Sequence, residues 1–168
     1  MTEADAARDW LAGHLAALGV PYELFPCDPE LADTAAFCAA YGFSPDESAN
    51  TIVVIGKSNP PVYAACVVLA TTRLDVNRTV RERLGTRKAS FAGADETQAL
   101  TGMAIGGVTV FGLPPDLPIL VDARVMDRER IVLGGGSRSW KVISTPAILR
   151  ALPRVEVVNG LANEPPPA

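Results

Sequence analysis

Histidine is almost missing from this chain: His14 is the only one in 168 residues. A Ser-His-Asp hydrolase or an HExxH zinc enzyme therefore lacks its parts, and no GxSxG is present either. His14 itself lies near an apolar helical stripe, where a structural or exposed role is expected. Cysteine is scarce as well. Cys27, Cys38 and Cys66 are odd in number, widely spaced and in no CxxC pair, so neither a disulfide framework nor a metal site is indicated, and the expectation is three buried, inert thiols. No apolar run approaches the roughly 18 residues of a membrane span. The opening MTEADAARDW has mixed charge and no apolar centre of a secretory leader, so a cytoplasmic protein without a membrane partner is expected. Basic residues are outnumbered, 15 against 19 acidic ones, for a net charge of -4. That balance argues against a protein that coats long stretches of nucleic acid, DNA included, because such affinity comes mainly from neutralised phosphates, and leaves room for a local patch.

What is present is enough apolar material for one core. With 48% hydrophobic residues the size favours a single domain over 1–168, with the NEPPPA tail at 163–168 expected to be disordered. Positive charge is concentrated locally. Between Arg73 and Lys88, six basic residues (Arg73, Arg78, Arg81, Arg83, Arg87 and Lys88) face only Asp75 and Glu82, which reads first as a solvated helix face.

The elements alternate. Trp10, Leu11, Leu15 and Leu18 have helical spacing, with Gly19 as the stop. Tyr22 to Phe25 suggests a strand, and Asp33 or Thr34 can cap a helix that runs through Phe37 and Tyr41 to Gly42. TIVVIG and VYAACVVLAT read as neighbouring strands joined by KSNPP. LDVNRTVRERLG reads as a helix with Val76, Val80 and Leu84 on one stripe. KASFA suggests a strand, DETQAL a short helix, GGVTVFGL another strand, and PILVDARV an alternating strand from Ile119 to Met126. RIVLGGG and WKVIS form a further pair, TPAILRAL a helix and VEVV the last strand. This order predicts an α/β (α+β mixed) domain, a mixed β-sheet with flanking helices, rather than a regular doubly wound fold. A dinucleotide-binding reading fails, since GGVTVFG precedes a strand and the GGGS at Gly134 to Ser137 lacks GxGxxG spacing. GGGS fits a hairpin turn better than a phosphate nest. Without a side-chain nucleophile and base, any catalysis must rest on main-chain donors and a positioned substrate, and glycine loops allow that close approach.

LDVNRTVRERLGTRKASFA, TGMAIGGVTVFGLP, LPILVDA and GGGSRSWK, taken in succession, resemble the YbaK/EbsC and prolyl-tRNA synthetase editing-domain family. The likeness runs from Tyr22 to about Leu152, and TGxxxGG followed by LPxxxD is its most specific combination. The resemblance implies a curved mixed sheet, hydrolysis of the ester of mischarged aminoacyl-tRNA, a pocket for the 3′ terminal adenosine with its amino acid, and no metal or cofactor. It further implies that Gly106 and Gly107 supply main-chain amides around the ester carbonyl and that the free ribose hydroxyl assists attack of water. Asp122 matches the acidic residue of LPxxxD, with a structural role as the alternative. Lys88 matches a lysine after the basic stretch, with an exposed charge as the alternative. The basic stretch would meet acceptor-end phosphates.

Three departures stand out. The family lysine before the threonine of the central strand is Asn50 here, followed by Thr51. Lys57 cannot replace it, being about 23 Å along an extended strand and on the opposite face. Lys88, Arg124 or Lys141 could bring a cation from elsewhere, or Asn50 could hydrogen-bond substrate without charge, with Thr51 helping to orient it. Val110 stands where GGxxP has proline, which predicts a less rigid loop exit. Trp140 and Lys141 occupy the region of a late acidic residue. Phe25, Met103 and Val110 are candidates to shape the aminoacyl pocket, with a core role as the alternative for each. Two classes remain open at this point, a trans-editing deacylase and a non-catalytic binder of a tRNA end or an aminoacyl- or nucleotide-like ligand, as monomer or homodimer.

Overall fold

The computed structural model describes residues 1–164. The chain opens with helix α1 (Glu3–Ala16), strand β1 (Tyr22–Pro26), helix α2 (Thr34–Tyr41) and strands β2 (Ala49–Gly56) and β3 (Val62–Leu69). Next come the short β4 (Arg73–Leu74), helix α3 (Arg81–Leu84), strand β5 (Ala89–Phe91) and helix α4 (Ala94–Thr101). After a turn-rich passage follow β6 (Ile119–Asp122), the one-turn α5 (Ala123–Met126), the hairpin of β7 (Ile131–Gly134) and β8 (Trp140–Ser144), α6 (Ala147–Arg150), β9 (Val155–Val158) and β10 (Ala162–Asn163).

The larger sheet has the order β5-β2-β3-β6-β9, antiparallel across β5, β2 and β3 and parallel across β3, β6 and β9. A smaller antiparallel sheet has the order β1-β8-β7, and β10 pairs with β4. The fold is thus the mixed α/β arrangement expected. β3 reads as a continuous apolar run because both of its faces are covered. Ala65, Val67 and Leu69 join Leu11, Leu15, Phe111, Val121 and Leu133 on one side. Ala64, Cys66 and Val68 join Val54, Val76, Val80, Leu120 and Leu161 on the other. Each fully buried Val or Leu contributes about 1.5–3 kcal/mol. Cys66 lies in this layer, and desolvation pushes its thiol up to about 12; all three cysteines are free and buried.

Several local expectations are corrected. α1 stops at Ala16 rather than Gly19, with its start fixed by reciprocal Thr2 and Asp5 hydrogen bonds. LDVNRTVRERLG opens as a π-helical turn over Val76–Val80 before α3, although Val76 and Val80 are buried as their stripe predicted. GGVTVFGL is not a strand. Its Thr109 amide donates to the Met103 sulfur at 3.4 Å instead of to a ladder, and Val110 and Phe111 sink into the core. The alternating PILVDARV ends as a strand at Asp122, which caps α5 by accepting the Arg124 amide. VEVV is not the last strand, because β10 follows it; Asn163 therefore belongs to a strand, while 165–168 of the expected tail lie outside the described residues. No helix among the described residues is long and apolar enough to cross a membrane.

Asp122 is 1% exposed, and one of its carboxylate oxygens has no partner. Desolvation raises its pKa against the opposing pull of the Arg124 amide. A carboxyl whose pKa rises on folding contributes most below its unfolded value of about 3.9 and loses that contribution as pH climbs through the folded value. Asp122→Ala is therefore expected to cost about 1 kcal/mol through loss of the cap, more near pH 4 than at pH 7. Asp122→Asn keeps the cap and should cost less at pH 7. Urea unfolding at the two pH values checks both.

Candidate active site

The site lies where β2 changes partners. One edge of β2 is paired with β3 along its whole length. The other edge meets the smaller sheet at the Ser48–Val132 bridge and β5 from Val54 onward, where the Ala92 amide also donates to the Val53 carbonyl. Between those attachments the edge is open. Main-chain groups alternate sides along a strand, so the outward Val53 carbonyl places the Thr51 N–H and C=O on the same open edge. A cleft of about 260 Å³ occupies this fork, bounded by Asn50 to Val53, the Ala32 to Thr34 turn, Ala92 and Thr97, and the Ile105 to Val108 loop with Gly134 and Lys141.

The loop is held by the β7–β8 hairpin. Its three successive carbonyls all accept from that hairpin: Ile105 from the Arg138 guanidinium at 3.1 Å, Gly106 from Lys141 Nζ at 3.2 Å, and Gly107 from the Gly136 amide at 2.7 Å. In a trans peptide the N–H points opposite to the C=O. The Gly107 N–H closes a turn onto the Ala104 carbonyl at 3.0 Å. The Gly106 and Val108 amides have no partner among the described residues, and both residues line the cleft. Gly106 has φ +92°, a conformation that favours glycine. Of the glycine pair, Gly106 lines the cleft with its amide free, whereas the Gly107 amide is used in the turn and Gly107 itself does not line the cleft; the second free amide there is that of Val108.

Asn50 faces the loop across the cleft. Its Oδ1 accepts from the Thr34 hydroxyl at 3.0 Å and the Ser48 hydroxyl at 3.3 Å, which leaves the amide NH2 as a donor. Lys141 is 7% exposed and donates from Nζ to the Ala32 carbonyl at 2.7 Å as well as to Gly106. Its ammonium also lies 5.5 Å from the centre of the Phe37 ring. Desolvation lowers its pKa, opposed by the nearby Cys27 thiol and reinforced by Arg138. The hydrogen bonds to two carbonyls are what allow the charge to stay buried.

Of the cations that could replace the one absent at position 50, Lys141 is the one that lines the cleft. Lys88 is exposed outside it, and Arg124 donates to the Ala162 carbonyl. Phe25 stacks edgewise with Phe37, Tyr41 and Phe43 at 5.3–5.7 Å, beneath the ring on which Lys141 rests. Met103 and Val110 are 3% and 2% exposed and belong to the core, and Asp122 caps α5. None of these four forms the cleft wall. Thr51 does, although its hydroxyl is buried without a partner. Sequence reasoning missed Thr34 and Ser48 as the anchors of Asn50, Arg138 as a loop anchor, and Val108. A lysine inside the otherwise apolar WKVIS was the one signal available for Lys141.

Residues 28–152 match the aminoacyl-tRNA editing domain family. Among solved structures, a candidate trans-editing enzyme for prolyl tRNA synthetase is similar at a TM-score of 0.80 and 22% identity, covering 98% of this chain and 99% of that one. The hypothetical protein APE2540 is similar at 0.78 and 26% identity, covering 88% of this chain and 97% of that one.

The close approach of loop and hairpin depends on glycine. A Cβ on Gly107 would lie 2.7–2.9 Å from three main-chain atoms of Ser137, whereas one on Gly13 in α1 meets nothing within 4 Å. Gly107→Ala should destabilise by about 1–3 kcal/mol, while Gly13→Ala should stabilise by about 0.5–1 kcal/mol. Thermal unfolding of the two variants decides this.

Proposed function

Since this chain belongs to the aminoacyl-tRNA editing domain family and deacylates mischarged tRNA, we propose that the ester binds in the fork beside β2 with its carbonyl oxygen on the Gly106 and Val108 amides. The observation that carries this reading is the capture of the Ile105, Gly106 and Gly107 carbonyls by the hairpin. With those carbonyls fixed, two N–H groups are left without partners where charge develops on the substrate oxygen. Such preorganised donors need no rearrangement as the tetrahedral intermediate forms, and removal of one donor of this kind costs about 3 kcal/mol.

The remaining roles follow from chemistry. The Asn50 amide is a neutral donor for a ribose oxygen or the ester, fixed by its two hydroxyl anchors. Lys141 is a positioning residue that acts through Gly106. Water forms the new bond to the acyl carbon, the bond from that carbon to the ribose oxygen breaks, and the departing oxygen leaves as a ribose hydroxyl. Asp33, the carboxylate on the cleft wall, is paired with Arg138 at 3.1 Å, so the substrate's neighbouring ribose hydroxyl is the group we assign to guide the water and relay its proton. An activated ester needs orientation and oxyanion stabilisation more than a strong base.

The test is deacylation of a panel of mischarged tRNAs that includes tRNA for proline. Turnover above the spontaneous rate is expected, and Asn50→Ala should lower kcat/KM about 10- to 100-fold, the value of one to two buried hydrogen bonds. Binding without turnover of any member would instead leave the chain a non-catalytic binder.

A second prediction concerns pH. Below its lowered pKa, Lys141 is an ammonium that holds the Gly106 carbonyl; above it, the neutral amine holds that carbonyl more weakly. Activity corrected for spontaneous hydrolysis should therefore fall on an alkaline limb below the ordinary lysine value of about 10.4. Lys141→Arg, which keeps its charge, should lose that limb. An unchanged limb in the variant would remove Lys141 from this role.

A further inference from the structure

Helix α1 lies outside residues 28–152, the span that matches the family, yet it touches the segments that build the site. Leu11 and Leu15 anchor it in the core at 0% and 1% exposure. Trp10, beside Leu11, does not share their burial. It is 41% exposed, so core packing alone does not account for where its ring sits.

That ring lies against two glycines of different segments. A Cβ on Gly112 would lie 2.6 Å from Trp10 Cζ2 and 2.9 Å from Cη2, and one on Gly136 would collide with Cζ3 and lie 3.0 Å from Cη2. The six-membered ring of one indole thus takes up the space of both missing side chains. Gly112 and Gly136 have φ +76° and +86°, and as glycines they have no side chain of their own to restrict their movement. Gly112 ends the GGVTVFG loop. Gly136 belongs to the β7–β8 connection, and its amide donates to the Gly107 carbonyl at 2.7 Å.

Two further contacts fix the ring and its helix. His14, one turn along α1, meets Trp10 edgewise, with ring centroids 4.6 Å apart and planes at 63°, and its Nε2 would lie 3.1 Å from a Cβ on Gly112. The Trp140 indole donates to the Ala4 carbonyl at 2.8 Å, which ties α1 to β8 at the residue before Lys141.

We infer that Trp10 is a positioning residue for deacylation. Its ring presses Gly112 and Gly136 into place, and through the Gly136 amide it fixes the Gly107 carbonyl and so the free Gly106 and Val108 amides. Close-packed contacts transmit such a constraint without a hydrogen bond. The inference rests on the deacylase reading and extends that site to a helix outside the matched span. It also gives His14 a task, as the edge that keeps the ring from turning away.

The experiment pairs steady-state deacylation of the mischarged tRNA panel with amide hydrogen exchange, followed by NMR, on the full chain. Trp10→Ala should lower kcat about 10- to 100-fold, as a misplacement of about 1 Å does. KM should stay unchanged, because the displaced donors act on the transition state more than on the bound ester. The Gly136 amide should exchange at least about 10-fold faster through local opening, while amides of the β2–β3 pair keep their protection. Trp10→Phe, a ring of shorter reach, should recover part of both effects, and it carries the test where the alanine variant does not fold. Equal acceleration at Gly136 and in the β2–β3 pair would make Trp10 merely structural and overturn the inference, as would an unchanged kcat. If the wild type turns over no substrate, the deacylase reading falls, and faster Gly136 exchange in Trp10→Ala still supports the brace. Turnover with unchanged Gly136 exchange in the variant overturns the brace alone.

Discussion

A β-strand has two hydrogen-bonding edges, and the site exists because β2 divides one of them between two sheets. Ser48 bridges to β7, Val54 pairs with β5 and Val53 accepts the Ala92 amide, and residues 50 to 52 have no ladder partner on that side. An unpaired edge within a protein needs some other source of hydrogen bonds, since buried main-chain groups are rarely left alone. Here the gap opens into a cleft, where solvent or a ligand can meet those groups. The same divergence brings Gly134 and Lys141 of the smaller sheet opposite Asn50 and Thr51. A regular sheet extended over residues 50 to 53 would close the edge and remove the site.

Holding the fork open requires the hairpin to grip the glycine loop, and the grip is partly ionic. Burying an ammonium is expensive unless its protons are satisfied. Lys141 meets that condition with the Ala32 and Gly106 carbonyls and the face of Phe37. Arg138 repeats the arrangement nearer to solvent, reaching the Pro29 and Ile105 carbonyls and the Asp33 carboxylate. Two cations thus connect the same pair of segments, the turn before α2 and the Ile105 to Gly107 loop. The aromatic cluster of Phe25, Phe37, Tyr41 and Phe43 supports this from below, so residues expected in the pocket act one layer behind it.

Much of the fold was legible because it follows local rules. Two long apolar runs flanking a proline-rich turn became the antiparallel β2–β3 pair, and Gly42 and Gly85 end their helices in the left-handed conformation. The misreadings occurred where tertiary contacts decide. Val108 to Phe111 has every residue preference of a strand, yet it has no neighbouring strand to pair with because the close glycine contacts press it against the hairpin. Asp122 looked like a site residue by motif and proves to cap a helix in the core, since its position at a strand end is visible only with β9 in place. Asn50 and Gly106 could be placed by motif, whereas Lys141 lies 91 positions beyond Asn50 in the chain and reaches the cleft only through the register of β8 with β7.

On the reading proposed above, the departures from the family pattern are compensated in the folded chain. A lysine at position 50 would bring its charge into the cleft from β2; with Asn50 there instead, the ammonium comes from β8. It arrives already bound to the glycine loop, so the charge orients main-chain donors rather than presenting itself to the substrate alone. Val110 lacks the fixed φ of the proline it replaces, but it is 2% exposed, next to the fully buried Phe111, and follows an amide tied to the Met103 sulfur. Packing then limits the loop exit as a ring would. Both substitutions move a constraint from the covalent chain to tertiary contacts, and this makes the site depend on the smaller sheet. A change that loosens β7 from β2 would release Lys141, Arg138 and the Gly136 amide together, so the proposed ester-carbonyl donors and the stability of that sheet should be lost as one unit.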